Sequence, residues 1–92
     1  MNDAIRLHPK DNVCTLLRDA RYGQAIYWRP GHSLKITSER IPAYHKVACI
    51  DFKPGDVIVK YGVTIGKAIK PIARGEGVWE ENIISAGSKT EG

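Results

Sequence analysis

The hydrophobic positions of this chain fall in short stretches rich in β-branched residues, and glycine or proline separates them at close intervals. Short apolar runs between turn residues are typical of β-strands, and frequent Gly and Pro argue against long helices. The chain is therefore predicted to be mainly β. The predicted strands are Ala4–Leu7, Gln24–Trp28, Ser33–Ile36, Lys46–Asp51, Val57–Lys60, Thr64–Ala68 and a short one near Val78.

One segment has a helical pattern instead. Asp11 and Asn12 are residue types that cap helices, and Val13, Leu16 and Leu17 follow with i, i+3, i+4 spacing. This combination predicts at most one short helix, near residues 12–19, of about two turns.

A weak internal echo recurs along the chain, in which a turn glycine is followed three positions later by a β-branched residue. Each copy is predicted to be a turn that launches a strand. Pro54 presets φ for such a turn, and Gly55 accepts the positive φ that many turns require. The copies are Arg21–Ile26, Lys53–Ile58 and Ala73–Val78.

Length and composition limit the number of domains and the size of the core. With 92 residues, of which 42% are hydrophobic and 26% charged, the chain has room for one domain with a thin core. A substantial catalytic cavity would therefore need a second chain. The domain is predicted to span residues 1–84, and the small, polar residues 85–92 are predicted to form a flexible tail.

The formal net charge of +4 permits attraction to anions of several classes. The basic residues form no run and accompany no zinc-knuckle spacing, which disfavours nucleic-acid binding. No window reaches the roughly 18 apolar residues of a membrane span, and charged residues occupy the start of the chain where a signal peptide needs an apolar segment. We therefore expect a cytoplasmic protein with no membrane partner.

Cys14 and Cys49 lie 35 positions apart, with no C-x-x-C spacing around either of them. This fits neither a disulfide framework nor a complete zinc site. Both are predicted to be small buried hydrophobes in a reducing compartment.

Candidate chemistry lies in four clusters, each of which also has an ordinary structural interpretation as a capped turn or a solvated strand end. An imidazole near backbone donors, or a lysine beside a phenol, is suited to binding an anion, and paired carboxylates are suited to proton transfer. The clusters are His8–Asn12, Ile41–Lys46, Lys60–Gly62 and Trp79–Asn82.

These clusters, in this order, resemble a known family. The matching residues are Ile5-Arg6-Leu7-His8-Pro9-Lys10-Asp11-Asn12-Val13, Ile41-Pro42 with His45-Lys46-Val47-Ala48, Lys60-Tyr61-Gly62 with Ile65-Gly66, and Gly75 with Asn82. The succession is similar to the SAF domain of altronate and galactarate dehydratases, and to the separate small subunit of lyases such as sulfolactate sulfo-lyase. The resemblance covers about residues 4–82 and implies a single-domain β-clip fold.

The resemblance further implies a small subunit that covers or completes the active site of a separate large catalytic subunit. That subunit would remove water or sulfite from a small hydroxy acid and would carry a divalent metal such as iron or manganese. No metal ligand is assigned to this chain, and a homo-oligomer is possible. By position, the catalytic candidates are His8, His45 and Glu81, and the substrate-binding candidates are Asp11, Asn12, Lys46, Lys60, Tyr61 and Asn82.

Two positions depart from the family pattern. Tyr44 stands where the family has glycine before His45, which adds bulk beside the predicted site. The family's His-x-His-Asn is here Trp79-Glu80-Glu81-Asn82, so both histidines are absent. The sequence leaves three alternatives open. Glu81 could act in place of the histidines, the protein could act on another substrate, or it could be a non-catalytic module that binds a small anion or a protein.

Overall fold

The computed structural model describes residues 2–86, and this part of the chain folds into short β-strands without a helix. The prediction of a mainly β single domain is therefore confirmed. The strands are β1 (Ala4–Ile5), β2 (Val13–Leu16), β3 (Ala20–Arg21), β4 (Ala25–Arg29), β5 (His32–Lys35), β6 (Arg40–Ile41), β7 (Lys46–Ala48), β8 (Val57–Lys60), β9 (Val63–Ala68), β10 (Gly77–Val78) and β11 (Ile83–Ser85).

The strands pair antiparallel throughout the described residues and form four small sheets. A central sheet has the order β1-β2-β7-β10, and a second sheet has the order β11-β9-β8. Two ribbons, β3-β6 and β4-β5, complete the set. The central sheet joins strands that are far apart in sequence, so it depends on contacts that no local pattern specifies.

The central sheet separates two hydrophobic cores because its side chains alternate between its faces. Cys14, Leu16 and Val47 point to the first core, which the β4-β5 ribbon also fills. Val13 and Ala48, on the opposite face, point to the second core. The first core comprises Ala4, Cys14, Leu16, Ala20, Ile26, Leu34, Ile36, Ile41 and Val47. The second comprises Val13, Ala48, Phe52, Ile58, Ala68, Ile72 and Val78.

The predicted helix at Asn12–Asp19 is wrong, because Val13–Leu16 is strand β2. The strand lies inside the central sheet with both faces covered, so Val13, Cys14 and Leu16 are all buried. A strand buried on two faces loses the alternation of polar and apolar residues, and its apolar positions then imitate helical spacing.

The three turns predicted from the internal echo are confirmed, and each leads directly into β4, β8 or β10. In each turn, the N–H of the fourth residue donates to the carbonyl of the first residue. The side chain of the fourth residue accepts a hydrogen bond from the N–H of the first residue. The third residue is a glycine with positive φ. The first and fourth residues are Arg21 and Gln24, Lys53 and Asp56, and Ala73 and Glu76.

Two strand predictions run too long, since β1 ends at Ile5 and β7 ends at Ala48. The sequence also gave no sign of β3, β6 or β11, which are two or three residues long. The predicted tail started at Ser85, whereas Ser85 is the last residue of β11 and pairs with Gly66. Ala86 of that predicted tail donates its N–H to the Ile65 carbonyl at 2.8 Å, and residues 87–92 lie outside the described residues.

Within residues 2–86 there is no helix with the length and apolar character needed to cross a membrane.

Candidate functional site

A cavity of about 610 Å³ opens beside the start of β7. Lys46 enters it from β7, and its register partner Val78 enters from the neighbouring β10. The lining residues are His45, Lys46, Val78, Trp79, Glu80, Glu81, Ile83 and Ser85. The cavity therefore gathers the second and fourth candidate clusters of the sequence, which are more than 30 positions apart.

His45 is an exposed imidazole whose tautomer is set by its backbone contact. Its Nδ1 lies 3.2 Å from the carbonyl oxygen of Ala43, which only accepts hydrogen bonds, so Nδ1 carries the proton in the neutral ring. The Nε2 lone pair is then free to accept a proton. The edge of the Trp79 ring supports the imidazole, with ring centroids 6.2 Å apart and planes at 72°. An unpaired ring nitrogen of this kind is what a general base requires.

Lys46 and Lys60 bring two positive charges to one side of the domain. Both are half-buried, on β7 and β8. Burial lowers the pKa of Lys46 below its usual value, and the charge of Lys60 lowers it further. The Lys60 Nζ also lies 4.9 Å from the centroid of the Tyr61 ring, in a cation–π contact. An anion bound between the lysines would relieve the repulsion that lowers this pKa.

Thr15 is a neighbour of the candidate site that the sequence did not suggest. It lies directly opposite Lys46 in the register of β2 and β7, so the two side chains share a face of the central sheet. Its Oγ1 is buried and has no hydrogen-bond partner among the described residues. Buried hydroxyls are usually paired, so an unpaired hydroxyl on the Lys46 face of the sheet is unusual. Only the pairing of β2 with β7 reveals it.

His8 belongs to a different part of the site, at the turn between β8 and β9. Its ring packs on Gly62, where a Cβ atom would lie only 2.8 Å from the ring's Cδ2. Its Nδ1 accepts a hydrogen bond from the Lys10 N–H at 3.1 Å, so the neutral ring carries its proton on Nε2. The neutral His8 ring therefore presents a hydrogen-bond donor, Nε2–H, beside the Lys60-Tyr61-Gly62 turn, whereas the neutral His45 ring presents an acceptor.

Asp11 and Asn12 use their side chains to hold backbone. The buried Asp11 carboxylate accepts from the N–H groups of His8 and Gly62, at 3.2 and 2.8 Å. The Asn12 side chain pairs with β8, accepting from the Val59 N–H at 2.8 Å and donating to the Val57 carbonyl at 3.0 Å. These two residues fasten the segment before β2 onto the β8-β9 hairpin.

Asn82 has a similar structural role, whereas Glu81 remains exposed. The Asn82 side chain is buried, accepts from the Trp79 N–H at 3.0 Å and donates to the Gly77 carbonyl at 2.9 Å. Both polar ends of the amide are therefore occupied by the turn that carries Glu80 and Glu81. Asn82 presents Glu81 to the cavity through that turn.

The two departures from the family pattern have distinct structural consequences. Tyr44 adopts φ 71°, the left-handed conformation that favours glycine, while its side chain is 76% exposed. Trp79 packs against the first core and covers Gly77, where a Cβ would collide with the indole ring. Position 79 therefore supplies packing to the cavity wall.

The donor set of residues 2–86 does not fit a divalent metal. Among residues 2–86, no three His, Cys, Asp or Glu side chains lie close enough together to hold an ion. Three or more such ligands are usual for a catalytic metal. No step of the chemistry below is therefore assigned to a metal held by these residues.

Of the candidate residues, the structure brings His45, Lys46 and Glu81 to the cavity, with Lys60 close enough to act on Lys46. His8 and Tyr61 lie together at the β8-β9 turn. Asp11, Asn12 and Asn82 hold these elements in place. The candidate set therefore divides into groups that face solvent and groups that build the scaffold.

Comparison with known proteins identifies the family of this chain. Residues 2–86 match the model of the altronate/galactarate dehydratase SAF domain. The chain is 37% identical over 82 residues to altronate dehydratase of Bacillus subtilis (strain 168), covering 89% of this chain and 16% of that enzyme. It is 32% identical over 80 residues to galactarate dehydratase (L-threo-forming) of Escherichia coli (strain K12), covering 87% of this chain and 15% of that enzyme.

The chain thus spans about one-sixth of the length of these relatives. The family model spans every described residue, from 2 to 86. The chain belongs to the family of altronate/galactarate dehydratase SAF domains.

Proposed function

We propose that this chain is the small subunit of a two-component dehydratase or related lyase that acts on a hydroxy acid. It would complete or cover the active site of a separate large catalytic subunit. Two observations support this. The relatives named dehydratases are about six times longer than the region they share with this chain. The cavity of this domain is open and carries only part of a catalytic set.

The cationic pair Lys46 and Lys60 is the observation that carries the proposal. Elimination from a hydroxy acid removes a proton next to the carboxylate, and negative charge then spreads over that carboxylate. Fixed positive charges stabilise such a state most when they are partly desolvated. Lys46 is half-buried and its pKa is already lowered, by burial first and by Lys60 second, so an anionic substrate is its natural counterion.

Proton transfer is assigned to the remaining exposed groups. His45, with a free Nε2, takes the proton from the carbon next to the carboxylate. The electron pair of that C–H bond forms the new double bond as the β-hydroxyl leaves as water. Glu81, in its protonated form, donates the proton that the leaving hydroxyl requires. A divalent metal such as iron or manganese, where the reaction uses one, belongs to the large subunit in this proposal.

The test has two stages. The tagged chain is first captured from its native cells under reducing, metal-replete conditions, and co-purifying chains are identified by mass spectrometry. The recovered pair is then assayed for dehydration of altronate and galactarate. Turnover by the pair and none by either chain alone is the expected result. Full turnover by the isolated small chain, or recovery of no dehydratase-like partner, would overturn the two-component proposal.

Substitutions in the reconstituted pair test the anion site. Lys46→Met and Lys60→Met are each expected to raise KM for the sugar acid at least tenfold, because each removes a charge from the carboxylate site. Lys70→Met is the matched control, since Lys70 is an exposed lysine outside the cavity. An equal effect of all three substitutions would indicate a general charge effect instead of a site.

A second candidate is a non-catalytic module that binds a small anion or a protein partner. One observation favours it: where the family has the first of its two late histidines, Trp79 packs against the first core and offers no titratable group. Glu81→Ala distinguishes the candidates in the reconstituted pair. A loss of kcat of tenfold or more supports catalysis by this chain, and unchanged kcat supports the binding module.

A further inference from the structure

Cys14 and Cys49, which the sequence suggested were two unrelated buried residues, are in contact. Cys14 lies on β2 and Cys49 directly follows β7, 35 positions later, yet their Sγ atoms are 2.7 Å apart. Cys14 faces Val47 in the β2-β7 register, and Cys49 lies two positions beyond Val47, on the same face of the sheet. Cys14 is buried and Cys49 is half-buried against the first core.

The surroundings of the two sulfur atoms give them different chemistry. A hydrogen bond from Cys14 lowers the pKa of Cys49; burial opposes this, and the charges of Arg6 and Arg74 reinforce it. The same hydrogen bond raises the pKa of Cys14, and burial raises it further. Arg74 is held in place by its Nε–H, which donates to the Cys49 carbonyl at 3.1 Å. A thiolate beside guanidinium groups and a neighbouring thiol is the arrangement of a reactive cysteine.

We propose that Cys14 and Cys49 form a site of reversible oxidation by hydroperoxides. The Cys49 thiolate attacks one peroxide oxygen, the O–O bond breaks, and Cys49 becomes a sulfenic acid as hydroxide leaves. The Cys14 thiol then attacks the Cys49 sulfur, which forms the S–S bond and releases water. Two thiols and one hydrogen peroxide thus give one disulfide and two waters. A dithiol reductant returns two electrons and two protons.

The bond would connect two segments that carry the candidate site. The Cys49 N–H already donates to the Asn12 carbonyl at 2.9 Å, and Lys46 lies three positions before Cys49. A disulfide here closes a loop of more than 30 residues and restricts the unfolded chain. The oxidised domain is therefore more resistant to unfolding than the reduced domain. This inference is independent of the proposed catalytic role.

The experiment follows the intact mass of the folded chain after treatment with equimolar hydrogen peroxide. The expected result is the loss of two hydrogen atoms and of both free thiols, with one peptide pair joined through Cys14 and Cys49 after digestion without reductant. A dithiol restores the original mass. The thermal midpoint of the oxidised chain should exceed that of the reduced chain by roughly 10 °C.

Two variants distinguish the roles of the cysteines. In Cys14→Ala, Cys49 is expected to stop at the sulfenic acid, which dimedone traps. In Cys49→Ala, Cys14 is expected to remain unmodified. Circular dichroism verifies the fold of each variant, and the wild-type mass decides the question where a variant fails to fold. Unchanged thiol content in the peroxide-treated wild type, separate oxidation of the two cysteines, or a disulfide between two chains would each overturn the proposal.

Discussion

The Asp11 carboxylate accepts a hydrogen bond from the Gly62 N–H at 2.8 Å, across 51 positions of sequence. Its other oxygen accepts from the His8 N–H, so one side chain joins the loop after β1 to the turn between β8 and β9. Lys60 is the last residue of β8 before this turn, and Tyr61 is the first residue of the turn. The position of the second lysine of the candidate site therefore depends on a buried aspartate that has no need to touch substrate.

Asp11→Asn is expected to lower the free energy of unfolding by about 2 kcal/mol near neutral pH, because an amide replaces a charged acceptor of several N–H groups. Burial raises the pKa of this carboxyl, but hydrogen bonds from Gly62, Tyr61, His8 and Leu7 together hold the pKa below the usual 3.8. The stabilisation is therefore complete above the unfolded-state pKa and is lost as pH falls through the folded-state pKa.

Denaturant melts at several pH values check this expectation. The difference between wild type and Asp11→Asn should shrink below about pH 4, where the wild-type carboxylate becomes protonated. Asp19→Asn is the comparison variant, because the pKa of this exposed carboxylate is also lowered, by the Ala43 N–H and by Arg40. Its difference from wild type should follow the same pH trend with a smaller amplitude, since Asp19 is exposed. A constant difference between wild type and Asp11→Asn across pH would contradict the assigned role of the charge.

Tyr44→Gly is expected to stabilise the domain by roughly 1 kcal/mol, because the tyrosine backbone is held at φ 71°. The side chain is 76% exposed, so little packing is lost with it. Tyr44→Ala removes the same ring but keeps a Cβ, and should leave stability nearly unchanged. Thermal or urea unfolding of both variants measures the difference, and equal stability of the two would rule out backbone strain at this position.

Gly55 and Gly75 allow the backbone and steric costs of a side chain to be separated. Both have positive φ, at 95° and 91°, but a Cβ at Gly55 meets open space, whereas one at Gly75 collides with the Lys35 carbonyl oxygen. Gly55→Ala should cost roughly 1–2 kcal/mol, and Gly75→Ala about 3 kcal/mol or more. Urea melts rank the variants, and equal costs would contradict the close approach at Gly75.

Lys60→Met is expected to raise the pKa of Lys46 toward its usual value without restoring it fully, because burial is the larger cause of the lowering and remains. NMR titration of the Lys46 Cε and Nζ resonances measures this directly. Lys67→Met, which removes an exposed lysine of β9, is the control. An unchanged Lys46 pKa in Lys60→Met would show that the two lysines do not interact, and would remove the basis for a shared anion site.

Asn82→Ala is expected to lower the free energy of unfolding by roughly 1–3 kcal/mol, because it leaves the buried Gly77 carbonyl and Trp79 N–H unpaired. Glu81→Ala, at the exposed neighbouring position, should change stability by less than about 0.5 kcal/mol. Chemical denaturation compares the pair. An Asn82→Ala variant as stable as wild type would show that water can replace the amide at the Gly77 carbonyl and the Trp79 N–H. The amide would then not be needed to hold the turn.

The sequence allowed the turns and most strands to be predicted because their signals are local. In each repeated turn the glycine and the capping side chain lie within four residues, as at Lys53–Asp56. The strand β2 was missed because its two buried faces remove the alternation that marks a strand. The two-residue strands β3 and β6 were not predicted, because they are recognised only by their pairing with each other and two residues are too few to show a pattern.

The candidate site was also only partly predictable from the sequence. The order of the motifs was enough to indicate the family and to select His45, Lys46, Lys60 and Glu81. The motifs did not distinguish these four groups from Asn82, whose amide is already hydrogen-bonded within a turn. Short motifs report which residue types recur, and only hydrogen-bond partners tell whether a polar side chain is available to a ligand.

The sequence by itself determined that the chain is mainly β, where its glycine turns lie and which family it resembles, because these features depend on neighbouring residues and their order. Tertiary structure alone decided that Thr15 faces Lys46, that Cys14 meets Cys49 and that Asp11 holds Gly62. These contacts depend on the pairing of β2 with β7 and on the docking of the β8-β9 hairpin. Such pairings join residues 30 or more positions apart, which no local pattern encodes.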